Sequence, residues 1–385
     1  MDGKSIVNRT YGHLLNIIYY LNKFAMKTLV LVEDYPNNNG GVKLMYVHTR
    51  NLYYQKNGID VTVLNFNSKN EYSYENIRVI SFEQYKKANT KYDLLILHAA
   101  NIKHHYRFLL SYGKNFDYFL FFYHGHEVLK INCVYSAPYP YVHSNFAKTK
   151  LRDIYDDYKL TIWRRYIPTI YKKSYFVFVS KWMENQFYKW TKLDTRYLRD
   201  RSFITYNNVG LEFEEGVYNP DEHKKYDFIT IRGNIDGSKY CIDVVNNLAI
   251  NTPNGKFLLI GKGNYFDHYD KADNLTWINS VLSHSEIIEK LQEARFALMP
   301  TRTDAQGLMM CEMAAFGIPV ITSDIPVCHE VFDGFPNVSF IDNDDKHLSL
   351  ESQLTKESKC IKDPRFYMAA TVSKEVELIN KICKK

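Results

Sequence analysis

Two doubly wound α/β domains with a ligand cleft between them are the fold this chain predicts. Three observations carry the prediction. Short apolar runs alternate with helical stretches, the second half repeats the theme of the first after a polar loop, and the chain is 385 residues long. A chain of that length exceeds one ordinary core, and two domains of roughly 150–200 residues are its natural division. Short buried strands separated by helices specify a parallel sheet covered on both faces.

In chain order, residues 13–24 read as an amphipathic helix ahead of a first strand at 27–33 (KTLVLVE). Strands follow at 61–66 (VTVLNF), 94–98 (LLILH), 118–124 (YFLFFYH) and 175–180 (YFVFVS), with helices at 44–57 and 82–89. A loop at 207–225 leads into the second half. Its strands are 227–232 (DFITIR), 256–261 (KFLLIG), 275–278, 296–300 (FALMP) and 319–323 (PVITS). Helices fit 239–251, 285–293 and 308–316, with Ser285 as the expected N-cap of the second. The expected division is an extension over 1–25, a first domain over 26–207 and a second domain over 208–363. A helix within 364–385 returns to the first domain. A nicotinamide-binding domain is the obvious rival, but residues 34–43 (DYPNNNGGVK) lack G-x-G-x-x-G, and no acid ends the second strand.

Composition excludes several classes. Cys133, Cys241, Cys311, Cys328, Cys360 and Cys383 are scattered without a C-x-x-C pair, which argues against a disulfide framework and a zinc site. No run of 18 apolar residues exists to span a membrane, and residues 13–21 (HLLNIIYYL) are too short and polar for a signal sequence. A cytoplasmic protein is expected. The net charge of +6 hides an asymmetry: residues 1–210 hold 30 Lys and Arg against 16 Asp and Glu, a net +14, and the rest 19 against 27, a net −8. No nucleic-acid motif accompanies the basic half, whose cations lie among long aromatic and aliphatic residues. An anionic membrane face or lipid-phosphate acceptor fits it better.

The most informative stretch is residues 300–324, PTRTDAQGLMMCEMAAFGIPVITSD. A strand ends at Pro300, a polar loop follows, and Gly307 opens a helix. Free N–H groups and the dipole at such a helix start favour an anion such as diphosphate. Glu312 lies one turn beyond Leu308 on the same face, where a carboxylate can accept paired ribose hydroxyls. Asp304 can serve a sugar in the same way. On spacing alone, a plain strand–loop–helix with two solvated acids remains equally open.

This stretch resembles the donor signature of family 4 retaining glycosyltransferases (glycosyl transferases group 1), of GT-B fold: an acid, seven residues, a Glu, then A-x-x-G-x-P-V. The matching positions are Asp304, Gly307, Leu308, Glu312, Ala314 or Ala315, Gly317, Pro319 and Val320. The family normally has Glu at the first acid and an aromatic before the Gly; Asp304 and Gln306 stand there in this chain. Residues 206–213 (YNNVGLEF) resemble the family's interdomain loop. Residues 230–245 (TIRGNIDGSKYCIDVV) resemble its G-R…K-G-x-D segment, which implies that Arg232 and Lys239 hold the diphosphate. Residues 259–263 (LIGKG) resemble its V-G-x-G turn. In the first half, Gly40 and Gly41 resemble the glycine loop that approaches donor and acceptor, and His124 in YHGHE matches the His near the reacting sugar. His126 and Glu127 are weaker candidates, and no catalytic role is assigned to Glu127.

The resemblance implies transfer from a nucleotide sugar with retention of configuration and no required metal or other cofactor. A donor phosphate oxygen takes the acceptor proton, while the protein positions groups and stabilises charge. The implied acceptor is a glycan or lipid-linked glycan, in bacterial surface polysaccharide or glycoconjugate synthesis. Residues 342–345 (DNDD) read as a solvated loop rather than a metal motif. Residues 148–175 mix Lys and Arg with Trp163, Ile167 and Ile170 and, with 103–116, are candidates for an anionic membrane contact against the plainer reading of a packed amphipathic helix. A sugar-nucleotide epimerase of the same fold and a catalytically silent partner subunit are the alternatives.

Overall fold

The computed structural model describes residues 26–40, 43–88, 90–142 and 146–383. The amphipathic helix expected over 13–24 therefore lies outside the described residues. Two sheets organise the rest. The first is eight-stranded, in the order β3-β4-β2-β1-β5-β6-β7-β8. Its strands are β1 (Lys27–Val32), β2 (Asp60–Asn65), β3 (Tyr72–Tyr74), β4 (Ile77–Ile80), β5 (Leu94–His98), β6 (Tyr118–Tyr123), β7 (Ser174–Phe178) and β8 (Ser202–Ile204). The second is six-stranded, β11-β10-β9-β12-β13-β14. It comprises β9 (Tyr226–Asn234), β10 (Phe257–Lys262), β11 (Leu275–Ile278), β12 (Ala294–Leu298), β13 (Val320–Ser323) and β14 (Val338–Ile341). By compactness the chain divides into a unit of Met1–Phe121 with Lys173–Tyr175 and Val376–Lys385, and a unit of Phe122–Lys172 with Phe176–Glu375.

In the first unit, β1 pairs with β2 along its whole length and with β5 over residues 28–31, parallel to both, Lys27 facing Asp60 and Thr28 facing Leu94. Leu29, Val30, Leu31 and Val32 are entirely buried, as a strand covered on both faces requires. The β3–β4 hairpin is the antiparallel exception. Its two turn residues, Glu75 and Asn76, have φ of 44° and 67°, the backbone that suits a two-residue hairpin. The sequence gives no hairpin signal there, because Glu-Asn replaces the usual Asn-Gly.

In the second unit, every recorded pair of the six-stranded sheet is parallel. The order runs outward from β9 through β10 to β11, and in the other direction through β12 to β14. The β9/β12 boundary is thus a topological switch point, where ligands bind beyond the strands' carboxyl ends. Arg232 lies near the end of β9, and residues 299–307 follow β12. Gly261 makes this geometry possible. A Cβ there would lie 2.4 Å from the Arg232 carbonyl oxygen and 2.7 Å from Ile235, so β10 passes Arg232 closely only because no side chain intervenes.

Several local expectations shift. The N-cap of helix His284–Gln292 is Ser283, not Ser285: Ser283 and Glu286 form a capping box that displaces the later serine. The 207–225 loop contains helix Leu211–Glu215. Lys239 sits in the 3-10 turn Ser238–Tyr240, because Cys241, with φ of 55°, breaks the backbone before helix Ile242–Ile250. Residues 148–170 fall in one long helix, Phe146–Ile170. Trp163 and Ile167 are fully buried in it, so they cannot face a membrane.

Candidate functional site

The loop after β12 is held on several sides. Thr301 N–H donates to Ser323 Oγ at 2.8 Å, and Asn343 bridges Ser323 Oγ (2.7 Å) and the Thr301 carbonyl (3.0 Å). Ser180 Oγ donates to the Ala305 carbonyl at 2.6 Å. Gln306 spends both ends of its amide on one neighbour: Oε1 accepts from Asn207 N–H at 2.6 Å, and Nε2 donates to the Asn207 carbonyl at 3.1 Å. This buried residue is a clamp between the loop and residue 207, which is why an amide can stand at the family's aromatic position.

Gly307 adopts φ of 73° and opens helix Leu308–Phe316. The Leu308 and Met309 N–H groups have no acceptor among the described residues, as expected for the first turn. Asp304 turns one oxygen onto its own loop, accepting from Ala305 N–H at 2.8 Å and Gln306 N–H at 3.4 Å. Glu312 is buried on the same helix, 4.0 Å from His284 Nε2. Burial pushes its carboxyl up to about 8, against the Gly210 N–H that favours the charged form and with the Glu212 charge adding to the rise.

Across the switch point, Arg232 Nη2 donates to the Pro300 carbonyl at 2.6 Å, while its buried Nε has no partner among the described residues. Burial lowers the guanidinium pKa, and Asp304 is among the charges that oppose this. The Lys239 carbonyl accepts from Arg302 N–H (2.9 Å) and Thr301 Oγ1 (3.1 Å), which fixes its backbone to the loop. Its ammonium lies over two rings, 4.7 Å from the centroid of Tyr240 and 5.0 Å from that of Tyr135.

His124 directly follows β6, half-buried, with its ring stacked on Phe122. Its N–H and that of Gly125 donate to the Glu127 carboxylate, so Glu127 shapes the turn from a buried position. Lys159 pins the same turn, donating to the His126 carbonyl (2.8 Å), the Leu129 carbonyl (2.9 Å) and Asp156 (2.6 Å). Gly40 lies in the other unit, in the turn after β1 with φ of 86°. Gly41 lies outside the described residues. Arg232, Lys239, Asp304, Gly307, Leu308 and Glu312 thus all sit on the switch-point side of the second sheet.

Sequence reasoning missed two supports. Arg302 grips Asp243 with both terminal nitrogens, at 3.0 and 2.6 Å, and also donates to the Ser238 carbonyl at 2.6 Å. The segment 135–141 lies on the same surface: Ser136 meets Ser238 at 2.9 Å, Tyr139 donates to Asp243 at 2.8 Å and Tyr141 to Asp236 at 2.7 Å. Nothing in YSAPYPY announces that this segment meets Asp243. Asp342 and Asp345 accept N–H groups of their own loop. Among the described residues no three His, Cys, Asp or Glu side chains gather as metal ligands.

Residues 229–351 match the family model described as glycosyl transferases group 1. Sucrose-phosphate synthase from Thermosynechococcus elongatus is similar in structure, with a TM-score of 0.67 at 14 % identity over 94 % of this chain and 100 % of that one. WaaG, a glycosyltransferase involved in lipopolysaccharide biosynthesis, aligns with a TM-score of 0.57 at 12 % identity over 91 % and 99 %. Anabaena HepE in complex with UDP and glucose aligns with a TM-score of 0.56 at 10 % identity over 93 % and 97 %. No curated protein matches by sequence. These likenesses establish the fold expected from the sequence, GT-B.

Proposed function

From a GT-B fold carrying a group 1 glycosyltransferase segment, we propose that the chain transfers a sugar from a nucleotide-sugar donor to a glycan or lipid-linked glycan, with retention of configuration. The observation that carries this reading is the charge arrangement at the β9/β12 switch point. Arg232 and Lys239 share it with the open N–H groups of Leu308 and Met309, and no ion pair occupies either cation among the described residues. Such a set suits a diphosphate, and the cations stabilise it as the glycosidic bond breaks. Glu312 then takes the ribose hydroxyls, and Asp304 and His124 lie towards the sugar. The acceptor proton passes to a donor phosphate oxygen, so no protein base is required, and the two cations perform the task a divalent metal would otherwise have. HepE, solved with UDP and glucose, makes UDP the first nucleotide to try.

Purified protein offered UDP-, GDP-, ADP- and dTDP-sugars, with and without EDTA, should release nucleotide from at least one of them in the presence of a glycan acceptor, equally in EDTA. Nucleotide binding without transfer would favour the silent-subunit reading, to which Asp304's turned-in carboxylate lends some support. Sugar inversion without transfer would favour an epimerase. No binding of any donor would remove all three.

The acceptor side rests on helix Phe146–Ile170. Leu151, Ile154, Tyr155 and Tyr158 form an exposed stripe one helix face wide, the first two 64 % and 61 % exposed. Lys148, Lys150, Arg152 and Arg165 are exposed beside it, and Asp157 on the same helix is paired with Lys130 at 2.8 Å. Apolar residues rimmed by cations favour an anionic lipid surface carrying the acceptor, and with it a peripheral place on the cytoplasmic face of the plasma membrane. WaaG's part in lipopolysaccharide biosynthesis is in keeping with such an acceptor. Among the described residues no helix is long and apolar enough to cross a membrane. Flotation with phosphatidylglycerol vesicles should carry the protein at low salt, and Leu151→Asp with Ile154→Asp should abolish this. Absence of binding at any salt would discard the proposal.

A further inference from the structure

Lys239 is set apart from Arg302 and Arg295 of the second unit by lying over two aromatic rings. Arg302 grips Asp243, and Arg295 is paired with Asp227 at 3.0 Å. Lys239 has no carboxylate within ion-pair distance among the described residues. Its ammonium instead lies over the rings of both Tyr135 and Tyr240, and the Arg232 guanidinium lies 5.1 Å from the centroid of Tyr240. The negative faces of the rings hold the cations without neutralising them.

Tyr240 is one residue from Lys239, so chain geometry accounts for its place. Tyr135 is 104 positions away, and the fold spends several contacts to bring it there. Ser136 and Tyr139 tie its segment to Ser238, next to Lys239, and to Asp243, four residues beyond it. On its other side the hydroxyl lies opposite Gly125, where an added Cβ would stand 3.9 Å away, and the ring faces His126 at 5.4 Å.

We infer that Tyr135 is a positioning residue for donor binding, its ring holding the Lys239 ammonium as an unneutralised cation for the donor's diphosphate. This rests on the donor reading above and assigns a role to a segment outside the donor motif. A carboxylate at this distance would hold the lysine more strongly, but would compete with the phosphate. A ring face holds it and yields no competing charge.

The test is a binding cycle on the full chain. UDP, dTDP, ADP and GDP, each beside its parent nucleoside, are titrated into wild type, Tyr135→Leu, Tyr135→Phe, Lys239→Met and the Tyr135→Leu/Lys239→Met pair. Leu keeps the apolar bulk and removes the ring. Tyr135→Leu should weaken the bound diphosphate about 5- to 10-fold and leave its nucleoside unchanged, and Phe should restore the diphosphate. In the Lys239→Met background Tyr135→Leu should add no further loss, because the cation it positions is gone. Equal diphosphate affinity in wild type and Tyr135→Leu, an undiminished loss in the Lys239→Met background, or equal loss of nucleoside and diphosphate would overturn the role of Tyr135. A wild type that binds none of the diphosphates would instead sink the donor reading itself.

Discussion

Arg232→Met should cost at least about 100-fold in kcat/KM while leaving the apoprotein as stable as the wild type or more so. Catalytic loss of that size follows removal of one preorganised donor from a site where negative charge develops. The stability half follows from what surrounds the side chain. Arg232 is buried, makes one hydrogen bond through Nη2 to the Pro300 carbonyl, and leaves Nε without a partner among the described residues. A desolvated, part-satisfied cation destabilises the fold that holds it, and a shorter, uncharged thioether removes that cost. Activity and thermal melting should therefore move in opposite directions, as is common where a site is built for its ligand rather than for rest. Transfer retained within about tenfold would show that Arg232 does not touch the donor.

Glu312→Gln should flatten the dependence of stability on pH. The ordinary value for the carboxyl is 4.5, and burial raises it to about 8 in the folded chain. Below pH 4.5 the group is protonated in both states and its contribution is fully present. Between 4.5 and 8 the unfolded chain gives up its proton while the folded chain keeps it, so stability falls as pH rises, by up to about 1.4 kcal/mol per unit. Above about 8 this slope ends. Over the whole window the loss is a few kcal/mol in order of magnitude. Glutamine has no proton to lose, so the variant should melt higher than wild type at pH 8 and track it more closely at pH 5. Parallel melting curves would refute the assignment. The variant should also bind nucleotide more weakly. Ribose hydroxyls that donate to the carboxylate favour its charged form, so nucleotide binding near pH 7 should release a proton in wild type and none in Glu312→Gln. Titration calorimetry in two buffers of different ionisation enthalpy reads this directly.

Much of the fold was legible because buried parallel strands are nearly pure apolar runs. LLILH at Leu94–His98 and helix Leu308–Phe316 appear where the pattern puts them. What escaped were elements whose cause lies elsewhere in the chain. The β3–β4 hairpin lacks a turn signal, and β14 is half-exposed, so neither shows a strong apolar run. Trp163 and Ile167 looked like surface anchors beside Lys and Arg, yet the helix turns them inward and shows Leu151 and Ile154 instead; local composition cannot say which face of a helix meets a core. At the candidate site, the residues next to one another in sequence were readable and their supports were not. Gln306 looked like a departure from the family pattern, and its reason is Asn207, 99 residues away. Tyr135 had no motif at all.

The close passage of β10 beside Arg232 bears on how this chain can change over generations. A position that admits no Cβ is closed to neutral drift, because any replacement at Gly261 meets a backbone oxygen that cannot swing aside as a side chain would. The neighbours Ile260 and Lys262 are free to exchange within their own burial classes. The close approach of two strands is thereby written into a residue that bears no chemistry. Because that oxygen belongs to the backbone of residue 232, glycine would be kept at this place whatever side chain the facing strand carried there.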